Sequence, residues 1–191
     1  MPDLPHQAIV DDFVGNAHGN FARVKELLDQ YPALVNAVAS WNETALAAAA
    51  QTGQVQIAKM LLAAGAPMEI CTAAMLGLRD RVADYLKADP GAANATGAHG
   101  IPVLYHAVIR GHAEIAEMLL AHGADVNANE GGNPPIHGAT MFGQTEMVGW
   151  LLDRGANANA LDYENKTPLR RALDANQQTL ADLLRARGGK E

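Results

Sequence analysis

The chain has 191 residues, 49% hydrophobic and 18% charged, a mixture too apolar for a disordered chain and sufficient to bury one sizeable core. No uncharged apolar run approaches the roughly 20 residues that a membrane-spanning helix requires, so no membrane association is expected. A net charge of −7 excludes a nonspecific grip on nucleic acid, whose phosphates need a basic surface; residues 162–191, with six Lys or Arg against five Asp or Glu, are the one local departure. The single cysteine, Cys71, has no partner for an internal disulfide, and the N-terminal stretch has neither the basic region nor the long apolar run of a secretory signal. Cytoplasm is therefore the expected compartment.

Pairs of short amphipathic helices recur along the chain. The turns between the two helices fall at Gly19, Gly53, Gly77, Gly111, Gly143 and Asn176, at nearly even intervals except for the much shorter step from Gly53 to Gly77. In the first pair, Gly19 is followed by Pro32 and Asn36; in the second, Gly53 is followed by Gly65. The third pair copies the first, with Gly77, Pro90 and Asn94 at the same distances. The offset that carries Gly19 onto Gly77 also pairs Arg23 with Arg81, Val24 with Val82, Leu28 with Leu86, Gly53 with Gly111, Ile57 with Ile115, and Leu61-Leu62 with Leu119-Leu120. A doubled two-unit block is the simplest reading. The fourth and fifth pairs carry the runs HAEIAEMLLAHG and QTEMVGWLLDRG, whose apolar residues lie three and four apart on one helical face. The sixth, whose second helix runs between Asn176 and Gly188, presents Arg171, Asp174, Gln177, Gln178, Asp182 and Arg185 as the polar surface of a terminal unit. The expected units are 6–37, 38–70, 71–95, 96–128, 129–160 and 161–191, in a single array over 1–191.

The residues between these units resemble the ankyrin-repeat family. Thr167-Pro168-Leu169 followed by Ala172 is similar to the T-P-L-H-x-A signature; Pro134-Pro135-Ile136-His137-Gly138-Ala139 and Thr44-Ala45-Leu46-Ala47-Ala48-Ala49 are looser copies, and LLAHGADVNA (119–128) and LLDRGANANA (151–160) resemble repeat ends. Each piece has a physical reason: Thr caps the first helix, Pro suits its first turn, small Ala lets inner helices approach, and paired Leu fills the layer between hairpins. The resemblance implies an all-α helical solenoid of about six helix-loop-helix units with short β-hairpin fingers. The third finger is shortened, because only Pro67 to Ile70 separate Gly65-Ala66 from the helix near Cys71.

It also implies a protein-protein interaction module whose concave groove, built from finger tips and inner-helix ends, holds a partner protein of unknown identity. The positions before each inter-helix turn are Gln51 and Thr52, Met75 and Leu76, Ile109 and Arg110, Met141 and Phe142, and Asp174 and Ala175; finger positions add Trp41, Glu43, His99, Ile101, Asn133, Tyr163 and Lys166. From these a contiguous apolar track of Trp41, Met75, Leu76, Ile101, Ile109, Met141 and Phe142, flanked by Arg110 and Tyr163, is expected. Structural roles are expected for His137, His112, His122 and Arg154, a buried place for Cys71 and Trp150, and backbone bonds to the neighbouring turn for Asn127 and Asn159.

The alternative is a small-molecule pocket, or less readily a catalytic one, at the notch of the shortened finger, where Glu43 comes near His99 and His106 and Cys71 are close by. No HExxH, CxxC pair, phosphate loop or G-x-S-x-G elbow supports chemistry there. The expectation is a monomer with neither enzymatic activity nor a cofactor. The register itself is testable: Leu119→Ala is expected to cost about 2–5 kcal/mol in urea unfolding, and an unchanged midpoint would refute it.

Overall fold

The computed structural model describes residues 4–191; residues 1–3 of the expected array lie outside the described residues. Six helical hairpins follow one another: α1 (Gln7–Asn16) with α2 (Phe21–Gln30), α3 (Ala45–Gln51) with α4 (Val55–Ala63), α5 (Ile70–Met75) with α6 (Arg79–Ala88), α7 (Val103–Val108) with α8 (Ala113–Ala121), α9 (Pro135–Met141) with α10 (Thr145–Leu152), and α11 (Pro168–Asp174) with α12 (Gln178–Ala186). The first helices stack as an inner row because alanine lines them. Ala45, Ala48, Ala49, Ala73, Ala74, Ala107, Ala139 and Ala172 are all fully buried, so successive backbones approach closely. Thr44 and Thr167 cap α3 and α11, their hydroxyl oxygens accepting from the N–H of Ala47 (3.2 Å) and Arg170 (3.1 Å).

The second helices form an outer row, and four of them, α4, α8, α10 and α12, end at glycine. Gly123, at φ +87, closes α8 in the left-handed region, where a Cβ is disfavoured. Beyond these ends an asparagine ladder ties the third to the sixth units together. Asn94 donates to Gly123 O and accepts from Asp125 N (2.9 and 3.1 Å). Asn127 does the same with Gly155 O and Asn157 N (3.1 and 2.8 Å), and Asn159 with Gly188 O and Lys190 N (3.1 and 2.7 Å). Each bond to a carbonyl satisfies an acceptor that a helix end leaves free.

The doubled block of the sequence extends to the elements. Helices α2, α3 and α4 begin at Phe21, Ala45 and Val55, and α6, α7 and α8 begin at Arg79, Val103 and Ala113, the positions that the same offset assigns them. The short 3-10 turns Pro32–Asn36 and Pro90–Asn94 correspond in the same way. The fingers, expected as β-hairpins, are tight turns instead. The only pairing among the described residues is the two isolated bridges Val38 with Thr44 and Thr96 with Pro102, themselves counterparts in the two blocks. A finger this short, with its tip in the left-handed region (Asn42 φ +64; His99 φ +57 and Gly100 φ +70), has room for one bridge and no longer ladder.

Two apolar cores result. One runs from Ile70 in α5 through Leu119, fully buried in α8, to Leu184 in α12. The other joins α1–α4 to Met75 of α5 and to Ile101, Tyr105 and Ile109 of the fourth unit. Trp150, expected in the core, is half-buried on the outer row, where the Arg154 guanidinium lies 3.9 Å over its ring.

Tyr105 is wedged against α9, and Gly138 makes room for it. A Cβ at Gly138 would stand 2.6 Å from Tyr105 Cδ2 and 3.0 Å from Ile109 Cγ2, and both side chains are enclosed. Gly138→Ala is therefore expected to destabilise the protein by about 1–3 kcal/mol in urea unfolding, although alanine favours a helix over glycine by about 1 kcal/mol.

Candidate functional site

The expected apolar track does not exist as a surface. Trp41, Met141 and Tyr163 are 42%, 42% and 56% exposed, and His99 and Arg110 are also exposed, but Glu43, Met75, Ile101, His106 and Ile109 are buried; Leu76 and Phe142 are half-buried. The cause is the short third unit. With only three residues, Pro67 to Glu69, before α5 and no finger there, α3 reaches past α5 to touch α7 and the fourth finger. Side chains aligned as groove-lining thus meet one another and become the second core. At Gly53 (φ +66), a Cβ would lie 3.4 Å from both Arg110 Cδ and Phe142 Cε1, so the fourth and fifth units close over the end of α3.

The tips of the second and fourth fingers meet at Glu43. Its side chain is fully buried, with Oε2 accepting from Trp41 Nε1 (2.7 Å) and Oε1 from Gln51 Nε2 (2.7 Å). His99 Nε2 stands 3.6 Å from Oε1, as the proximity across the missing finger suggested. His18, absent from the sequence-based set, stands with Nε2 3.7 Å from Oε2 and 3.0 Å from Gln51 Nε2. Its Nδ1 donates to Gly15 O (3.1 Å), a tautomer that leaves Nε2 to accept from Gln51. The period offered a signal for His18: it precedes Gly19 as Thr52 precedes Gly53 and Arg110 precedes Gly111. The Gln51 amide oxygen is buried without a partner among the described residues.

This network joins units one, two and four and fixes the Trp41 ring by its indole N–H, while the ring remains partly open to solvent. An aromatic plate and two half-exposed imidazoles held over a buried carboxylate form a polar-aromatic edge of the kind found at the margins of interfaces.

The residues considered for chemistry are arranged differently. Cys71 and His106 both lie against Gly97, whose added Cβ would be 3.6 Å from Cys71 Sγ and 3.2 Å from His106 Cε1. Burial, reinforced by Glu69, pushes the Cys71 thiol up to about 12, far from a reactive thiolate. His106 donates from Nδ1 to Pro102 O (3.0 Å) at the interior side of α7 and does not join the Glu43 network. Among the described residues no group of three or more His, Cys, Asp and Glu is placed to hold a metal ion.

His137 takes the structural position expected of it, donating from Nε2 to Ala160 O (2.8 Å), with Nδ1 3.6 Å from Asp162. Asp162 is nearly inaccessible; burial alone would raise its carboxyl, but Arg171 and the N–H groups of Lys166 and Glu164 hold it below the ordinary range. His112 likewise bonds Met75 O (3.1 Å), tying the fourth unit to the third.

Family models match most of this region. One described as ankyrin repeats in three copies covers residues 70–162, and one described as an ankyrin repeat covers 41–73. No curated protein matches the chain.

Burial holds His106 down at about 4, only partly offset by its bond to Pro102 O. An unfolded histidine protonates near 6.5, so as pH falls the unfolded chain takes up the proton first, and stability held above about 6.5 is lost on the way to about 4. Urea unfolding at about pH 4.5 is expected to show on the order of 2–3 kcal/mol less stability than at about pH 7 from this residue. His106→Asn, which keeps a donor for Pro102 O, should flatten that slope; an equal slope in the variant would refute the assignment.

Proposed function

As the chain belongs to the ankyrin-repeat family, whose arrays are generally protein-protein interaction modules, we propose that it holds a partner protein along the rim of its folded-over concave face. The partner meets Trp41 and His99 at the tips of the second and fourth fingers, Arg110 and the open edge of Phe142 beside Gly53, and Met141 and Tyr163 further along. The observation that carries this reading is the exposure of Trp41, Met141 and Tyr163 while other residues expected at the groove, Glu43, Ile101 and Ile109, are buried and packed. Aromatic, Met and Arg side chains held on a rigid base lose little freedom on binding and are the usual anchors of interfaces.

The array is taken to act as a cytoplasmic monomer, with the Cys71 thiol buried and reduced. The net charge of −7 favours a basic partner surface and speeds its approach at low salt.

Affinity capture on the immobilised chain, followed by titration of each recovered protein against variants, tests the rim. Trp41→Ala is expected to weaken a true partner about tenfold or more with the chain still folded at the assay temperature, although loss of the indole N–H on buried Glu43 lowers its thermal stability. If every recovered protein binds Trp41→Ala and Phe142→Ala as it binds the parent chain, the rim is not the interface.

A further inference from the structure

The asparagine ladder breaks at its first rung, and the break opens a cavity. Asn36 occupies the place of Asn94, Asn127 and Asn159. Its partners would be Gly65 O and the N–H of residue 67, as Asn94 bonds Gly123 O and Asp125 N. Residue 67 is proline and has no N–H. The Asn36 side chain, exposed at the rim, makes no hydrogen bond among the described residues, and the linker Ala66–Glu69 leaves a cavity of ≈ 100 Å³ beside it. Val35, Leu46, Ala47, Ala66 and Pro67 supply its apolar walls, and Asn36, Thr44, Glu69 and Thr72 its polar groups.

Thr72 is the second anomaly. It is 3% exposed, yet its hydroxyl has no partner among the described residues. Thr52, at the C-terminal end of α3, and Thr140, in α9, return theirs to the carbonyl four residues back, to Ala48 O (2.7 Å) and Ile136 O (2.8 Å). For Thr72 that carbonyl is Met68 O, already taken by the Tyr85 hydroxyl (2.5 Å). Glu69, exposed at the edge of the cavity, forms no ion pair among the described residues, and no cationic side chain lines the cavity.

We propose that this cavity is a socket for a primary ammonium on an alkyl stem, the end of a lysine side chain from a partner protein. An ammonium carries three donors and no acceptor, which matches the three unpartnered oxygens of Glu69, Thr72 and Asn36, while the stem lies along Val35, Leu46 and Pro67. The counterpart cavity in the second block is a built-in control. It is smaller, ≈ 70 Å³, and its Asn94 and Asp125 are engaged with neighbouring backbone. That the ammonium comes from a protein rests on the interaction reading above; the socket's preference for a cation does not.

The test is titration of the isotopically labelled full chain with n-butylammonium chloride, with n-butanol as the uncharged match, following backbone amide signals by NMR. Saturable shifts are expected at Asn36, Ala47, Ala66 and Thr72, absent around Asn94 and absent with n-butanol. They should weaken about tenfold or more in Glu69→Gln and in Thr72→Val, both with parental thermal unfolding. No saturable shift, meaning a cavity filled by water alone, or equal binding by both variants, overturns the socket and leaves the rim reading untouched. Saturable binding of N-acetyl-lysine methylamide at the same residues supports the lysine source. Binding of n-butylammonium alone, or a partner that is lost with Trp41→Ala yet unaffected by Glu69→Gln, overturns that source.

Discussion

Pro67, Met68 and Glu69 are all that connect Ala66 to α5. Every other junction between hairpins has a finger or a longer turn, and that length sets a uniform spacing between neighbours. Here the chain cannot project outward before it must start the next inner helix, so the third unit contributes little more than the two packed faces of α5 and α6. Units two and four then come within side-chain reach above it. The apolar residues that face this gap bury one another, since each fully buried Ile or Met contributes about 1.5–3 kcal/mol relative to exposure. The closed groove, the second core and the meeting of two finger tips all follow from one short connection.

Glu43 shows how the closure is sealed. A carboxylate taken out of water is costly unless its lone pairs are met, and here they are met by an indole N–H and an amide N–H, with two imidazoles at its edge. The counterpart of Glu43 in the second block is Ile101, which enters the apolar core instead. The two blocks thus share a backbone plan and differ at the very position where they touch. One brings a polar centre that orients Trp41, the other an apolar plug beside it.

Much of this is legible as period. The six turn positions, the caps Thr44 and Thr167, the bonding of Asn127, Asn159 and His137, and the short third finger all follow from local patterns whose causes are local. The groove departs from its expected form for a related reason. Met75, Ile101 and Ile109 sit where a regular array exposes its inner edge, but exposure is set by the neighbour two units away, and the repeat period carries no such information. The proximity of His99 and Glu43 can be anticipated because both flank the missing finger. His18 escapes the sequence-based set although the register of Gly19 points to it, and the concave-edge position of Gln51 does not reveal its role as the bridge between His18 and Glu43. The fingers are expected as hairpins from family likeness, whereas so short a segment with a left-handed tip closes on a single bridge.

The direct contact of α3 with α7 has a further meaning for how the molecule comes apart. In an array where each unit touches only its neighbours, unfolding enters from an end and advances one unit at a time, each step governed by a single interface. A link that skips a unit removes that option for the first four hairpins. The third cannot loosen without breaking the bond between the second and fourth, and the second cannot leave without exposing Ile101, Tyr105 and Ile109. These hairpins should therefore melt as one cooperative block to which α9 is tied through Phe142, with the terminal hairpin α11–α12 retaining the fraying of an ordinary array. The missing finger, which looks like a loss of structure, makes the amino-terminal two thirds of the chain the less divisible part.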